Sequence, residues 1–257
     1  MIVNELGVTR FPSLSVFFPA YNDAPSLPSL LERAFAVLEA FVDDFEVIVV
    51  NDGSWDDTGN VLELLRSAHP KLRVITHTVN RGYGGALRSG FEAASKDYVF
   101  YTDGDGQYDV GELPLLLNLA RPDIGLVNGY KLDRHDPWHR VWIGKTYNAF
   151  ARALFHIQIR DIDCDYRLIR RDLLRHLGLS STSGTICVEL VRKLELSGCG
   201  TAETGVHHYP RLYGRSQFFR IRSLATTLAQ LMQLYGRLVV APAVRSFQQR
   251  LSWTRAE

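Results

Sequence analysis

Cysteine is scarce in this chain of 257 residues: Cys164, Cys187 and Cys199 are all it has, with no C-x-x-C pair. An odd set at such spacings supplies neither a disulfide framework nor a zinc site, and fits a reducing compartment. No run of 18 or more apolar residues occurs, so no segment reads as a membrane span. The opening MIVNELGVTRFPS lacks the charged start and apolar centre of a signal peptide. These absences together point to the cytoplasm. Net charge is only +1, which argues against a general nucleic-acid binder. Two phosphate-cradling signatures are missing as well. Where a dinucleotide-binding fold needs G-x-G-x-x-G the chain has PAYND, and Gly82, Gly84, Gly85 and Gly90 do not have the spacing. A Walker A loop is absent too.

What is present is an ordinary globular composition, 46% hydrophobic and 22% charged, long enough for one large domain with a modest appendage. Leu14–Phe18 reads as a short strand, and Pro25–Phe41 as a helix with Leu27, Leu30, Leu31, Ala34, Phe35, Leu38 and Phe41 at helical spacing. FEVIVV, Phe45–Val50, is β-branched and has no polar face, as a strand covered on both sides requires. A helix over about 56–68, a strand over Leu72–His77, a helix within Asn80–Ala94 and a strand over Asp97–Thr102 complete three β-α units and a fourth strand. This alternation predicts right-handed crossovers and a mostly parallel, doubly wound α/β sheet. Beyond it the pattern predicts a helix over Val110–Leu119, a strand over Ile124–Tyr130, a polar loop over Lys131–His139, and a helix over Val141–Phe155. A short strand with a turn within Arg160–Arg171, a helix over Thr185–Leu196 and an edge strand at Val206–Tyr209 follow.

From Val206 onward the charge is one-sided. Arg211, Arg215, Arg220, Arg222, Arg237, Arg245, Arg250 and Arg255 meet no acidic residue before Glu257. Within this region Ile221–Val240 carries an apolar stripe of Leu224, Leu228, Leu231, Met232, Tyr235 and Leu238. Such a basic amphipathic helix suits a membrane interface, or equally a seat on its own domain or on a partner helix.

The chemistry centres on Tyr101–Asp109, YTDGDGQYD. Alone, D-x-D reads as a solvated acidic turn, and Asp52-Gly-Ser54 as a turn with a helix N-cap. In a parallel sheet, however, Tyr21–Asp23, Asp52–Ser54 and Asp103–Asp105 all open on one edge, where such sheets bind ligands. Carboxylates there can accept hydrogen bonds from ribose hydroxyls and base N–H groups. Asp105 with Gln107 suits a hard divalent cation, Mg²⁺ or Mn²⁺, and through it a diphosphate.

The motifs FPAYND, VVNDGSWDDT, NRGYGGALRSG, YTDGDGQYD and RDIDCDYRLIRRD, in that order, resemble the inverting glycosyltransferases of family 2, of GT-A fold. Within that group the chain is most similar to the dolichol-phosphate mannose synthase-like enzymes that act on polyprenyl phosphates. The resemblance covers roughly residues 14–218. It implies that Pro19, Tyr21 and Asp23 line a nucleoside pocket, with Asp23 standing where many relatives have Glu. Asp52 would bind the base with Val50 packed beside it. Asp103 and the Gly104 backbone would meet ribose or sugar, and Asp105 and Gln107 the metal. Lys131, where relatives often have Arg, would face phosphate, and Arg134 and Arg140 would hold the acceptor phosphate. Arg211, Arg215 and Ser216 match a basic loop that closes on the donor diphosphate, although Gln217 stands where relatives often have Lys. Asp165 occupies a position where relatives usually have a small residue.

The resemblance implies a catalytic domain over 12–219 and a basic helical tail over 220–257. The implied reaction moves a hexose from a GDP- or UDP-linked sugar to a polyprenyl phosphate, on a protein peripheral to the cytoplasmic face of a membrane. Its attachment would run through the tail or through a small membrane protein. A sugar-hydroxyl acceptor would need a carboxylate base, and Asp161, Asp163 and Asp165 are the candidates. A nucleotide-sugar-binding subunit of a membrane complex would need no complete metal site.

Overall fold

The computed structural model describes residues 2–3, 9–134, 138–211, 213 and 221–241. Strands β1 (Ile2–Val3) and β2 (Thr9–Ala20) are followed by helix α1 (Leu27–Phe41), β3 (Val42–Asn51), α2 (Thr58–Ala68) and β4 (Leu72–Thr76). Then come α3 (Tyr83–Ala93), β5 (Tyr98–Thr102), α4 (Leu113–Leu117), β6 (Ile124–Arg134) and α5 (Trp138–Phe155). The series closes with β7 (Tyr166–Arg170), α6 (Arg171–Leu174), α7 (Thr185–Leu196), β8 (Gly200–His208) and α8 (Ile221–Tyr235).

The sheet has the order β4-β3-β2-β5-β7-β6-β8, with β1 antiparallel on β2. β2, β3, β4 and β5 are mutually parallel, β7 runs against both β5 and β6, and β6 pairs in parallel with β8. The chain winds outward from β2 to β4, then returns to place β5 on the other side of β2. That reversal puts the loops after β2 and β5 side by side, the crevice where an open α/β sheet takes its ligand.

The expected two-sided burial is present. Val47 and Val49 of β3 enter one core with α1, while Ile48 and Val50 enter the other with α3 and α7. Alternation along each strand sends successive side chains to opposite faces, so both layers must be apolar.

Some elements differ from expectation. The edge strand expected at Val206–Tyr209 is β8, which starts at Gly200 and ends at His208. The loop foreseen from Lys131 is strand as far as Arg134, because β8 continues alongside it to an Arg134–His208 pairing beyond a register shift. The helix foreseen over Val110–Leu119 breaks into a 3₁₀ turn at Val110–Glu112 and the short α4. Asp109 caps that turn by accepting from Gly111 N at 2.7 Å, and Pro114 restarts the helix.

Helix α8 settles on its own domain. Leu231 and Leu234 are buried among side chains that include Phe155 and Leu194, and Phe155 meets Tyr235 edge to face at 5.9 Å. At about 2 kcal/mol for each fully buried leucine, this anchors one face of the helix, while Leu228 and Met232 stay exposed. Among the described residues no helix is long and apolar enough to cross a membrane.

Candidate active site

The loops after β2, β3 and β5 are laced together by their own backbones. Asp52 N donates to Ala20 O at 2.9 Å, and Gly104 N to Pro19 O at 3.1 Å. A side chain at Gly104 would put its Cβ 2.7 Å from the Pro19 carbonyl, so only glycine permits this approach. Asn22, with φ at 58°, accepts from Trp55 N at 3.0 Å through Oδ1, and its own N donates to Ser54 Oγ at 3.0 Å. Tyr21, Asp23, Asp52, Asp103 and Asp105 are thereby held along one edge by rigid turns.

Asp52 is buried and its Oδ1 serves two donors, His77 Nδ1 at 2.6 Å and Arg81 N at 2.8 Å. Among the described residues nothing donates to its Oδ2. His77 Nε2 in turn lies 2.9 Å from Ser89 Oγ on α3. The glycine-rich turn that starts α3 fits against the segment before α7: Gly84 N donates to Thr182 O at 2.9 Å, and Gly82 takes φ of 77° there.

The carboxylates crowd one another. Burial raises the Asp23 carboxyl to about 6, partly offset by the hydrogen bond from Tyr21 N, with the Asp105 charge adding to the rise. Burial, then the charges of Asp165 and Asp105, push Asp103 well above the usual carboxylate range, although Tyr83 donates its hydroxyl to Asp103 Oδ1 at 2.8 Å. Asp105 accepts from Gln107 N at 3.0 Å through Oδ1 and from the Arg211 guanidinium through Oδ2.

Arg211 arrives through the end of β8. Tyr108 bridges to His208, and Tyr209 N donates to Gln107 O at 2.8 Å, so the segment after β8 lies against the loop after β5. The Nε of Arg211 is buried with no hydrogen-bond partner among the described residues.

A divalent cation fits this setting. The Asp105 charge raises the cost of ionising both Asp23 and Asp103, and the Arg211 guanidinium is bonded to Asp105. Among the described residues no three His, Cys, Asp or Glu side chains form a metal cage. Mg²⁺ and Mn²⁺ sites of one or two protein ligands completed by diphosphate oxygens have that character. Gln107 donates its amide nitrogen to Tyr209 O at 3.1 Å, which leaves its carbonyl oxygen as a hard ligand.

Other expected residues sit elsewhere. Val50 has no exposed surface and fills the core beneath α3, so it offers nothing to a base. Pro19 is buried and contributes its carbonyl to the Gly104 turn. Lys131 spends its ammonium on Asp163 O at 2.6 Å rather than facing open space. Arg134 ends β6 and Arg140 lies in the first turn of α5, at the same end of the sheet as the site. Arg215, Ser216 and Gln217 lie outside the described residues.

The three candidate bases are engaged in the loop before β7. Asp161 accepts from the backbone N of Asp163 at 3.1 Å, and Asp163 lends its carbonyl to Lys131. Asp165 is the counter-ion of Arg167, which has no exposed surface and contacts Asp165 Oδ1 at 2.6 Å and Asn128 Oδ1 at 2.7 Å. Arg167 also donates to the Tyr101 hydroxyl and the Ile162 carbonyl. Cys187 donates to Asp165 Oδ1 at 3.1 Å.

Sequence reasoning missed His77, Tyr83 and Arg167. His77 directly follows the third parallel strand, level with Asp52, and that placement was the available signal.

The strand order, the antiparallel β7 and the acidic loop after β5 define a GT-A nucleotide-sugar transferase fold. Glucosyl-3-phosphoglycerate synthase from Mycobacterium tuberculosis, solved with Mn²⁺, UDP and phosphoglyceric acid, superposes with a TM-score of 0.65 at 21% identity, covering 90% of this chain and 80% of that one. A mannosyltransferase from Pyrobaculum calidifontis, solved with GDP-mannose and Mn²⁺, gives 0.58 at 21% identity, covering 90% and 64%. The family model described as glycosyl transferase family 2 matches residues 15–178, and the chain belongs to that family. It is 31% identical, over 81% of its length, to the undecaprenyl-phosphate 4-deoxy-4-formamido-L-arabinose transferase of Pseudomonas savastanoi pv. phaseolicola, and spans 61% of that protein.

Proposed function

We propose that this chain is a metal-dependent inverting transferase that moves a hexose from a GDP- or UDP-linked sugar to a polyprenyl phosphate. The observation that carries the reading is the meeting of Arg211 with Asp105 beside Asp23, Asp103 and the orphaned Arg211 Nε. An arginine with an unused donor at a carboxylate cluster suits a diphosphate that arrives with a divalent cation. Relatives named for undecaprenyl-phosphate sugar transfer support the acceptor class, and their 4-deoxy-4-formamido-L-arabinose is the sugar to test against a hexose.

In this reading Asp52 Oδ2 accepts a base N–H, while Tyr21 and Asp23 line the nucleoside pocket. Asp103 and the Gly104 backbone orient ribose and sugar, and Asp105 and Gln107 hold Mg²⁺ or Mn²⁺. When bound, the cation neutralises charge on the departing diphosphate. Arg211, followed by Arg215 and Ser216, closes on that diphosphate. Arg134 and Arg140 present the acceptor, and Lys131 is held on the Asp163 carbonyl.

The acceptor phosphate oxygen forms the new bond to the anomeric carbon as the bond from that carbon to the diphosphate oxygen breaks. A phosphate is already ionised at neutral pH, so no side chain need remove a proton. This agrees with Asp165 being committed to Arg167. Rate would come from holding the two reactants in line and from electrostatic support of the leaving group. Residues 12–219 would supply the catalysis and 220–257 would assist attachment to the cytoplasmic face of a membrane, directly or through a small membrane protein.

The test is a donor screen with Mg²⁺ or Mn²⁺. GDP-mannose, UDP-glucose, UDP-GlcNAc and a UDP-linked 4-amino-pentose are each supplied with and without a polyprenyl phosphate, and nucleotide release is read. Lipid-dependent release from a hexose donor is expected. Release onto a water-soluble glycan alone would move the acceptor to a hydroxyl, and donor binding without any transfer would make the chain a binding subunit.

A further inference from the structure

The outer face of α5 is an exposed apolar feature that the proposed reaction leaves unused. Trp142 is 68% exposed, Ile143 41% and Phe150 47%. With Thr146 and Tyr147 they line a shallow, almost wholly apolar groove of about 290 Å³. Positions 142, 143, 146, 147 and 150 fall on one side of a helix, so these side chains form a continuous stripe.

Three observations say what would cover this stripe. First, α5 contains no aspartate or glutamate, while its sequence carries Arg140, Lys145 and Arg152, and Lys145 is exposed beside Trp142. Second, α5 begins four residues after β6 ends at the site's edge of the sheet. Trp142 lies only about 6 Å along the helix axis from its start. Third, α5 is fastened to the loop before β7: Asn148 donates its amide to Arg160 O at 2.8 Å and accepts from Ile162 N at 2.9 Å. The adjoining α8, which meets α5 at Phe155 and Tyr235, is also free of acidic residues and exposes Leu228 and Met232.

We propose that the α5 stripe, with Lys145, docks the protein onto an anionic lipid bilayer, so that the active-site mouth opens at the surface bearing the acceptor. This rests on the polyprenyl-phosphate reading above. Trp with aliphatic neighbours and lysine, and no carboxylate, is the composition that partitions into a lipid–water interface and is drawn to anionic headgroups. A protein partner of ordinary size would need a patch of roughly 800 Å² with a hydrogen-bonding rim. The stripe is one helix wide, and its groove is lined by almost no polar surface.

The experiment is co-sedimentation of the full chain with vesicles of pure phosphatidylcholine or of phosphatidylcholine containing phosphatidylglycerol, without donor or acceptor. Wild type is expected to pellet with the anionic vesicles. The double variant Trp142→Ala/Phe150→Ala should lose about tenfold or more in partition, and Lys145→Glu should lose part of it, with thermal unfolding and nucleotide binding unchanged. Lys145→Glu keeps the test decisive if the double variant folds poorly. Equal partition of wild type and variants, or no partition of wild type, overturns the proposal. Conversion of a dimer into a monomer by the double variant, with vesicle binding unchanged, also overturns it, because a second copy would then cover the stripe. Vesicle binding together with a failed lipid-acceptor assay would strike the acceptor reading alone. A short-chain, detergent-soluble polyprenyl phosphate should be used by the variants as well as by wild type, whereas transfer to acceptor in bilayers should fall with partition.

Discussion

The imidazole of His77 lies 2.6 Å from the carboxylate of Asp52, and both are buried. An ionised carboxylate can only accept, so Nδ1 donates to Asp52, while Nε2 lies 2.9 Å from the Ser89 hydroxyl. The loops after β3 and β4 and helix α3 are thus fixed as one unit. In the proposed reaction this unit aims Asp52 Oδ2 at the base. His77→Ala should raise KM for the nucleotide sugar by about tenfold, the worth of one charge-assisted hydrogen bond, with kcat changed far less. His77→Asn, which can still donate, should recover part of it. Steady-state kinetics check this, and an unchanged KM for both variants would remove His77 from donor positioning.

Arg211 and Asp105 make a second relationship with a sharp consequence. Loss of a donor that meets leaving-group charge typically costs on the order of 10²–10³ in kcat. Arg211→Ala should fall in that range, and Arg211→Lys between the two, since an ammonium keeps the charge and loses the fork. Asp105→Ala and chelation should each abolish turnover. Full activity with a chelator present would end the metal reading.

Asp165→Ala should unfold the protein at markedly lower temperature. Arg167 has no exposed surface, and removing its carboxylate leaves a buried unpaired charge, at a cost of about 3–5 kcal/mol. For a chain of this size that corresponds to a fall in Tm of roughly 10 °C. Calorimetry gives the answer, and a shift of a degree or two would show the pair to be weakly coupled.

Glu189 ties acid stability to the site. Burial alone would raise its pKa, but hydrogen bonds from Lys193, Ser181 and Ser180 outweigh it and bring the carboxyl down to about 2. A folded-state pKa below the unfolded value of 4.5 gives stability that is complete above pH 4.5 and lost as pH falls towards 2. The size is about 3 kcal/mol. Glu189→Gln should therefore be less stable than wild type at pH 7 and should converge with it near pH 2. Denaturant titrations across that range test this. Glu189 also fixes the backbone at Ser180–Ser181, next to the Thr182 carbonyl that receives Gly84 N, so the variant should loosen the start of α3.

Much of this was readable from the residues. FEVIVV could only be a strand covered on both faces, and the three loops ending in Asp23, Asp52 and Asp105 needed only parallel strands to converge. That reading already put Val50 in a core, and only the resemblance set it beside a base; periodicity could not reveal that Asp52, two residues on, holds an imidazole. That depends on which face of the sheet α3 covers. Likewise Lys131 read as a free phosphate ligand because nothing local announces its tertiary partner, the Asp163 carbonyl. Asp165 made sense only once Arg167 was seen to be enclosed. Contacts of this kind are set by neighbours distant in sequence, whereas the loops at the strand ends are set locally by glycine and by strand direction.

The tie between Arg211 and Asp105 spans 106 residues of chain. At a synthesis rate of about 5–20 residues per second, the carboxylate leaves the ribosome roughly 5–20 s before the arginine that completes it. During that interval the β2–β5 half can already pair and form the proposed nucleoside crevice, yet it lacks the guanidinium assigned above to a diphosphate. In the proposed reaction a nascent chain could therefore fold around its donor pocket before it acquires the ability to discharge a donor, with the last strand of the sheet as the timer.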